Sequence, residues 1–467
     1  MDRIYWLKLT GLLFLLRWSI FEALPADNYA GSASSNNQQI EGQYIYNIPD
    51  FPEKVSFTEA AVNWFGRITP EENFVDVRMG YTQKELYLRF SVVDRRLWYD
   101  PKPTPDKILN WDALSIFIDT GSDLFRINSQ LVPYWIDSAP YRAIYQKTRY
   151  RWNLVNIPVS ISSGYRGSGG FNQNSDNRGW TQEIKIPFSS LGLNSSPEKG
   201  TSWRLAFANY DRDTAHFKGS CSKWPPDMNE NYKQSWGILT FGIPLLKTVN
   251  SNNPQIFLIR EGLNYTHVID ASVGGSAICG EGTDFWNTWG DTTDQFYDQY
   301  KKMPVPISQF NIQNQSDIAD WPCFSKIYIT FPLNKIPVTK ELISAKLILH
   351  LFGNANPEEA KPSYIQIYRA KEAWQEDFLS WNNAPLPAEN YSGTWVKPVP
   401  NLSSQPSVRY EWNVSQAAYQ ALLAKEPLHL ILYSGDADYH SGKYFWSSHV
   451  SNSSANFRPT LEITIGD

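Results

Sequence analysis

The sequence predicts an all-β protein built as two tandem β-sandwich, jelly-roll-like domains, with one short helix in the second. Three observations carry that prediction. Apolar and polar residues alternate with period two in many short runs. Turn-rich spacers separate those runs. Aromatic residues are abundant, with 19 Trp, 26 Tyr and 24 Phe among 467 residues, against 6 His and 3 Cys. Alternation puts one strand face on a core and the other in water. Many short strands broken by turns point to sandwiches.

Composition narrows the function classes. Trp and Tyr stack on sugar rings and hydrogen-bond hydroxyls through their polar tips. His and Cys are too few and too scattered for grouped metal or nucleophilic catalysis. Formal charge is −5, from 47 Asp+Glu and 42 Lys+Arg, with no long basic run. Nucleic acid is therefore excluded as an expected partner. Scattered carboxylates are compatible with bound calcium. The length calls for two or three domains.

Residues 1–26 read as a signal peptide. Arg3 and Lys8 flank the start of the apolar core Leu9-Thr-Gly-Leu-Leu-Phe-Leu-Leu16, and Ala23-Leu-Pro-Ala26 supplies small residues for cleavage. Arg17 and Glu22 are unusual that close to the core, so a retained amino-terminal anchor is the alternative. No other membrane contact is expected. Residues 27–42 are small and polar and read as a flexible linker. Residues 43–245 form the first block, 246–262 a second linker around Val249-Asn-Ser-Asn-Asn-Pro254, and 263–467 the second block.

Within the first block, Leu86, Leu88, Phe90 and Val92 alternate with polar residues, as do Leu114, Ile116 and Ile118, then Ile184 and Ile186. The second block repeats the pattern at Ile327, Ile329 and Phe331, at Leu347, Leu349 and Leu351, at Ile365 and Ile367, at Leu428, Leu430 and Leu432, and at Leu461, Ile463 and Ile465. One segment departs from it. Val414, Ala417, Ala418, Ala421 and Leu422 recur at helical spacing after Asn413, an expected N-cap. Cys279 and Cys323 are able to pair in an oxidising compartment. Asn-x-Ser/Thr sequons occur at Asn194, Asn264, Asn314, Asn390, Asn401, Asn413 and Asn452.

Five landmarks of the first block occur in a telling order: Lys84 to Asp94, Trp111 to Asp119, Gly179 to Phe188, Trp203 to Asp211 and Trp236 to Leu239. Together they resemble carbohydrate-binding module family 9 and its sugar-binding-like relatives. The resemblance implies a sandwich in which two tryptophans clamp a sugar and polar side chains bond its hydroxyls. Trp224, in Lys223-Trp-Pro-Pro226, matches the second clamp position. Trp111 is nearest to the first, and Trp98 is its alternative. Arg126 and Asn128 match the polar contacts, but Ser115 and Leu124 replace expected polar ligands. The resemblance also implies structural calcium, with Asp94, Asp119, Asp211 and Asp213 as ligands. Trp180, Trp203 and Trp236 sit in strand patterns and are expected in the core. For Trp135 and Trp152, exposure and burial are both open.

The second block carries Trp374-Gln-Glu-Asp-Phe-Leu-Ser-Trp-Asn-Asn-Ala-Pro385 and ends in Arg458-Pro-Thr-Leu-Glu-Ile463. It resembles the DNRLRE domain, a jelly-roll related to carbohydrate-binding module family 96. That implies a secreted, non-catalytic module, some of whose relatives bind acidic polysaccharides. Trp374 and Trp381 are expected to pack. Arg369, Lys371, Arg409 and Lys443 are candidates to meet uronate carboxylates.

The expected function is that of a secreted or cell-surface, non-catalytic polysaccharide-binding protein, acting beside a separate glycoside hydrolase in carbohydrate catabolism. A structural surface spacer without glycan affinity is one alternative. A glycoside hydrolase or lyase is the other, since two carboxylates suffice for hydrolysis and Glu183, Asp211, Asp284, Asp291, Glu376 and Asp377 are available.

Overall fold

The computed structural model describes residues 43–466 except 217–218, 247–250, 252, 276–283, 292–295, 299–302, 306–308, 316, 320, 338, 357, 400–406 and 437. The signal peptide, the first linker, Cys279 and Asn401 lie outside the described residues. Cys323 is disulfide-bonded. Among the described residues, no helix is long and apolar enough to cross a membrane.

The alternating runs form strands as their pattern dictates, but Ala113–Asp119 and Ser325–Phe331 are buried on both faces, because further clusters around Phe117 and Tyr328 cover the side expected in water. Leu86, Leu88, Phe90 and Val92 are fully buried within Glu85–Val93, and so are Leu347, Leu349 and Leu351 within Glu341–Asn354. In the first block a sheet of five strands runs in the order Ala61–Phe65, Phe74–Tyr81, Glu85–Val93, Asn177–Pro187 and Ser160–Gly167. It shares a core with strands Ala113–Asp119, Leu124–Gln130, Ser202–Tyr210 and Gly237–Phe241 of a second sheet. Trp180 and Trp203 lie in that core, and Trp236 is buried against Phe117. The second block has its own core between strands such as Ser325–Phe331 and Leu428–Ser434 and a sheet of six centred on Glu341–Asn354.

The helix is Ser415–Ala424, with Ala417, Ala418 and Ala421 buried. Val414 rather than Asn413 is its N-cap residue, while Asn413 Oδ1 accepts the Ser415 amide at 3.0 Å. Two sequons are structural instead of exposed. Asn314 donates to Asp76 and to the Ser434 carbonyl, and Asn390 is locked to Asn47. A glycan cannot attach to an amide consumed in that way.

The blocks are joined by a shared sheet. The short strand Ile45–Ile48 pairs in parallel with Gly237–Phe241 on one side and touches Pro387–Val396 on the other, through Ile45 and Glu389. Asn47 and Asn390 exchange three bonds of 2.7 Å there. The result is one sheet of 13 strands running through both blocks. A third apolar cluster draws on both sides, placing Val62, Trp64 and Phe74 against Trp289, Trp321, Trp381 and Tyr433. Within it Lys326 is fully buried, its ammonium 3.7 Å from the Trp381 ring centre and 4.4 Å from that of Trp64. Burial pushes this amine well below its ordinary value, and Asp76 acts against that. Arg78 spans the seam to the carbonyls of Gly435 and Asp436.

Candidate functional site

Exposed aromatic rings gather at one place in the first block. Tyr134 and Trp135 are 69% and 61% exposed, an unusual state for rings of this size. They follow the strand Leu124–Gln130 in a turn closed by the Ile136 amide on the Pro133 carbonyl. Their ring centres lie 4.9 Å apart at 83°. Tyr165, at 6.2 Å, is nearly parallel to Tyr134. Phe171 continues the row, 4.7 Å from Tyr165 and 6.0 Å from Trp135, and Tyr99 follows at 5.5 Å. Five rings from four stretches of chain thus make a continuous row, open to water at Tyr134 and Trp135 and half-buried at Tyr165, Phe171 and Tyr99.

Short-range polar contacts fix those stretches. Asn172 sits in the left-handed region at φ 56°, which Asn tolerates better than bulkier residues. From there it accepts the Tyr99 amide at 2.7 Å and donates to the Tyr99 carbonyl at 2.9 Å. The Ser138 hydroxyl donates to the Ile161 carbonyl at 2.6 Å, tying the Trp135 turn to the strand that carries Tyr165. Asp112 serves both sides. Its carboxylate accepts the amides of Trp98 at 2.6 Å and Arg212 at 2.7 Å, while its carbonyl accepts the Leu131 amide at 2.7 Å.

Asp112 borders a buried acidic centre. One oxygen each of Asp94, Asp211 and Asp213 lies within 4.8 Å of the others. Burial, then its carboxylate neighbours, drive the Asp112 and Asp211 carboxyls well above the usual range. Asp94 is pushed up to about 8, mainly by burial and further by Asp213, against the Arg96 amide and the Trp180 indole that hold it ionised. Asp211 Oδ1 is buried without a hydrogen-bond partner. Three like charges in so small a volume are costly unless protonated or neutralised by a cation. An all-oxygen donor set suits a hard ion such as calcium, so Asp94, Asp211 and Asp213 fit that group.

The other sequence candidates lie elsewhere. Asp119 is not in the centre: it pairs with Lys233 at 2.7 Å and accepts the Gly121 amide. Trp224 is 0% exposed. Tyr44, Tyr46 and Phe207 enclose its rings, and Gly237 on a neighbouring strand presents backbone against its edge, where a Cβ would come within 2.5 Å. Neither face is open to a sugar, so Trp224 is a core residue. Trp111 is half-buried under the Arg212 guanidinium at 4.1 Å. Trp98 is half-buried and shapes the loop that leads to Tyr99. Asn128 is buried and accepts the Ser115 hydroxyl at 2.7 Å. Arg126 is held between Tyr145 and Trp152, with Glu230 at 3.7 Å.

In the second block Trp374 and Trp381 are buried, as packing residues should be. Lys443 is fully buried and donates to Ser363 and to the carbonyls of Lys361 and Ser441, so it cannot meet a uronate. Arg409 is exposed beside Glu411. The platform itself was half-visible in the sequence. Trp135 was a candidate for exposure, whereas Tyr99, Tyr134, Tyr165 and Phe171 carry no local signal that sets them apart from core aromatics.

Residues 308–465 match the model of carbohydrate-binding module family 96, a class of non-catalytic binding modules. The match lies within the second block, about where the DNRLRE resemblance was drawn. No curated protein matches the chain. Among solved structures, a candidate carbohydrate-binding protein from Bacteroides uniformis is similar at 12% identity and a TM-score of 0.33, covering 43% of this chain and 99% of that one. A carbohydrate-binding module of family 9 from Caldicellulosiruptor kristjanssonii, in complex with cellotriose, is similar at 14% identity and a TM-score of 0.29, covering 44% of this chain and 99% of that one. The same kind of module in complex with glucose gives 13% identity, a TM-score of 0.29 and coverage of 45% and 100%.

Proposed function

We propose that this is an exported, non-catalytic polysaccharide-binding protein that holds its ligand on the Tyr134–Trp135 platform and works beside a separate glycoside hydrolase outside the cell or at its surface. The row of five rings, with Tyr134 and Trp135 open to water, carries the reading. Water-exposed Tyr and Trp faces with fixed spacing gain by stacking on the apolar faces of sugar rings, while hydroxyl and indole tips bond the ring edges. The match of 308–465 to a carbohydrate-binding family supports the same class of ligand. Calcium at Asp94, Asp211 and Asp213 would be structural. It would neutralise the acidic centre beneath the loops that carry Tyr99 and Trp135, keeping the platform rigid and its entropic cost of binding low. Export rests on the amino-terminal apolar segment.

A glycan microarray run together with a reducing-sugar assay tests the reading. Retained glycan without release of reducing ends is the expected result. Steady appearance of reducing ends would make the protein a hydrolase, and a blank array with folded protein would leave it a spacer. Secretion is read by fractionating cells that express the full chain and a form lacking residues 1–26.

A further inference from the structure

We propose that Asp270, Glu376 and His449 of the second block form a binding site for one divalent metal ion of the zinc class. One ligand atom from each lies within 4.8 Å of the others. His449 Nε2 is 2.5 Å from Glu376 Oε1 and 3.9 Å from Asp270 Oδ1. Ligands at about 2.0–2.2 Å from a tetrahedral zinc stand roughly 3.4 Å from one another. The two separations bracket that value, and a shift of the exposed His449 ring reconciles them.

Three separate elements deliver the ligands, and each is anchored. Asp270 lies in the strand Ile269–Gly274 and is fully buried. Ser448 holds its carboxylate from both sides, the amide donating to Oδ2 at 2.7 Å and the hydroxyl to Oδ1 at 2.9 Å. Each oxygen keeps a further lone pair for an ion. Glu376 opens the turn Glu376–Phe378, two residues after the buried Trp374. His449 is in the turn after Lys443–Trp446, where Arg458 clamps the next carbonyl, that of Val450, at 2.7 and 3.1 Å. Such outer contacts orient ligands in metal sites.

The donor chemistry selects the ion. One imidazole and two carboxylates suit zinc and its neighbours, whereas calcium and magnesium prefer oxygen alone. The Asp270 carboxyl is held out of water beside that of Glu376, and a divalent cation between them would offset the cost of burying it. His449 is exposed and Glu376 half-buried, so the ion has a path from solvent and a position left for water. The site is independent of the sugar platform and of the acidic centre around Asp94, which offers oxygen only.

Isothermal titration of the full chain with zinc chloride, in excess calcium, is the test. The wild-type chain is expected to take up one zinc through this site. Glu376→Gln and His449→Asn should each weaken that uptake more than about tenfold, since loss of mere outer-shell partners already costs ~10–100-fold. Both residues are partly exposed, so the variants should unfold at the wild-type temperature without metal. No zinc uptake, or uptake unchanged by either substitution, overturns the proposal and leaves a plain His449–Glu376 ion pair. Zinc anomalous scattering at the trio in crystals would support it directly.

Discussion

Two aromatic assemblies in this molecule use the same residue types to opposite ends. At the seam between the blocks, Trp64, Phe74, Trp381 and Tyr433 close around the buried ammonium of Lys326. On the first block, Tyr134, Trp135, Tyr165, Phe171 and Tyr99 stand in a row of which Tyr134 and Trp135 face water. At the seam the rings pack on the buried Lys326 amine and on one another. In the platform, Tyr165, Phe171 and Tyr99 are half-buried, and Tyr134 and Trp135 stand exposed beyond them. Aromatic content alone therefore does not mark a binding surface; what covers the faces does.

The largest effect that can sharpen this contrast is at the seam and the core. Trp381→Ala and Trp224→Ala each empty a fully packed space, and either should destabilise the fold by about 3–5 kcal/mol in denaturant unfolding. Glycan affinity of the remaining folded protein should not change. A folded Trp224→Ala protein with selectively lost glycan affinity would restore Trp224 as a contact.

Next comes the acidic centre. Calcium at about 100 times its dissociation constant should stabilise the protein by ~2.7 kcal/mol, seen as a higher melting temperature than in chelator. The pH dependence has a definite sign. Asp94 is raised in the fold, to about 8 from 3.8, so the folded protein holds a proton there that the unfolded chain has lost. In chelator, stability contributed by this group is present below about pH 4 and is lost as pH rises towards 8. Calcium should flatten that decline by stabilising the ionised carboxylates. Identical melting curves with and without calcium across this range would remove the ion from the centre.

The smallest effect, and the most selective, belongs to the platform. Trp135→Ala and Tyr134→Ala should each weaken glycan binding by roughly 1–3 kcal/mol, as lost stacking does on other aromatic surfaces. Unfolding free energy should stay within about 0.5 kcal/mol of wild type, because little is packed over these rings. Equal loss of stability and affinity would mean that the rings are core after all.

Much of the fold was legible because it is locally encoded. Period-two alternation marked Glu85–Val93, Ala113–Asp119 and Glu341–Asn354, and helical spacing marked Ser415–Ala424. The strand-end position of Asp94 and Asp211 was equally visible, and the structure sets them side by side with Asp213. Trp224 misled because its surroundings are not local. A glycine on one neighbouring strand and tyrosines from the first strand and the residue before it bury it, and nothing in Lys223-Trp-Pro-Pro226 announces them.

The chain by itself determined many of the strands, since alternation follows from neighbours two residues apart. It did not show that Gln255–Arg260, within the expected linker, pairs with Thr460–Gly466, nor that both faces of Ala113–Asp119 and Ser325–Phe331 are buried. Tertiary structure alone decided that Ile45–Ile48 joins the two blocks into one sheet, through Asn47 and Asn390 that lie 343 residues apart. It alone decided which indoles keep a face for a ligand. Both outcomes depend on contacts between distant segments, and a ring's exposure is a property of everything packed around it rather than of its own place in the chain.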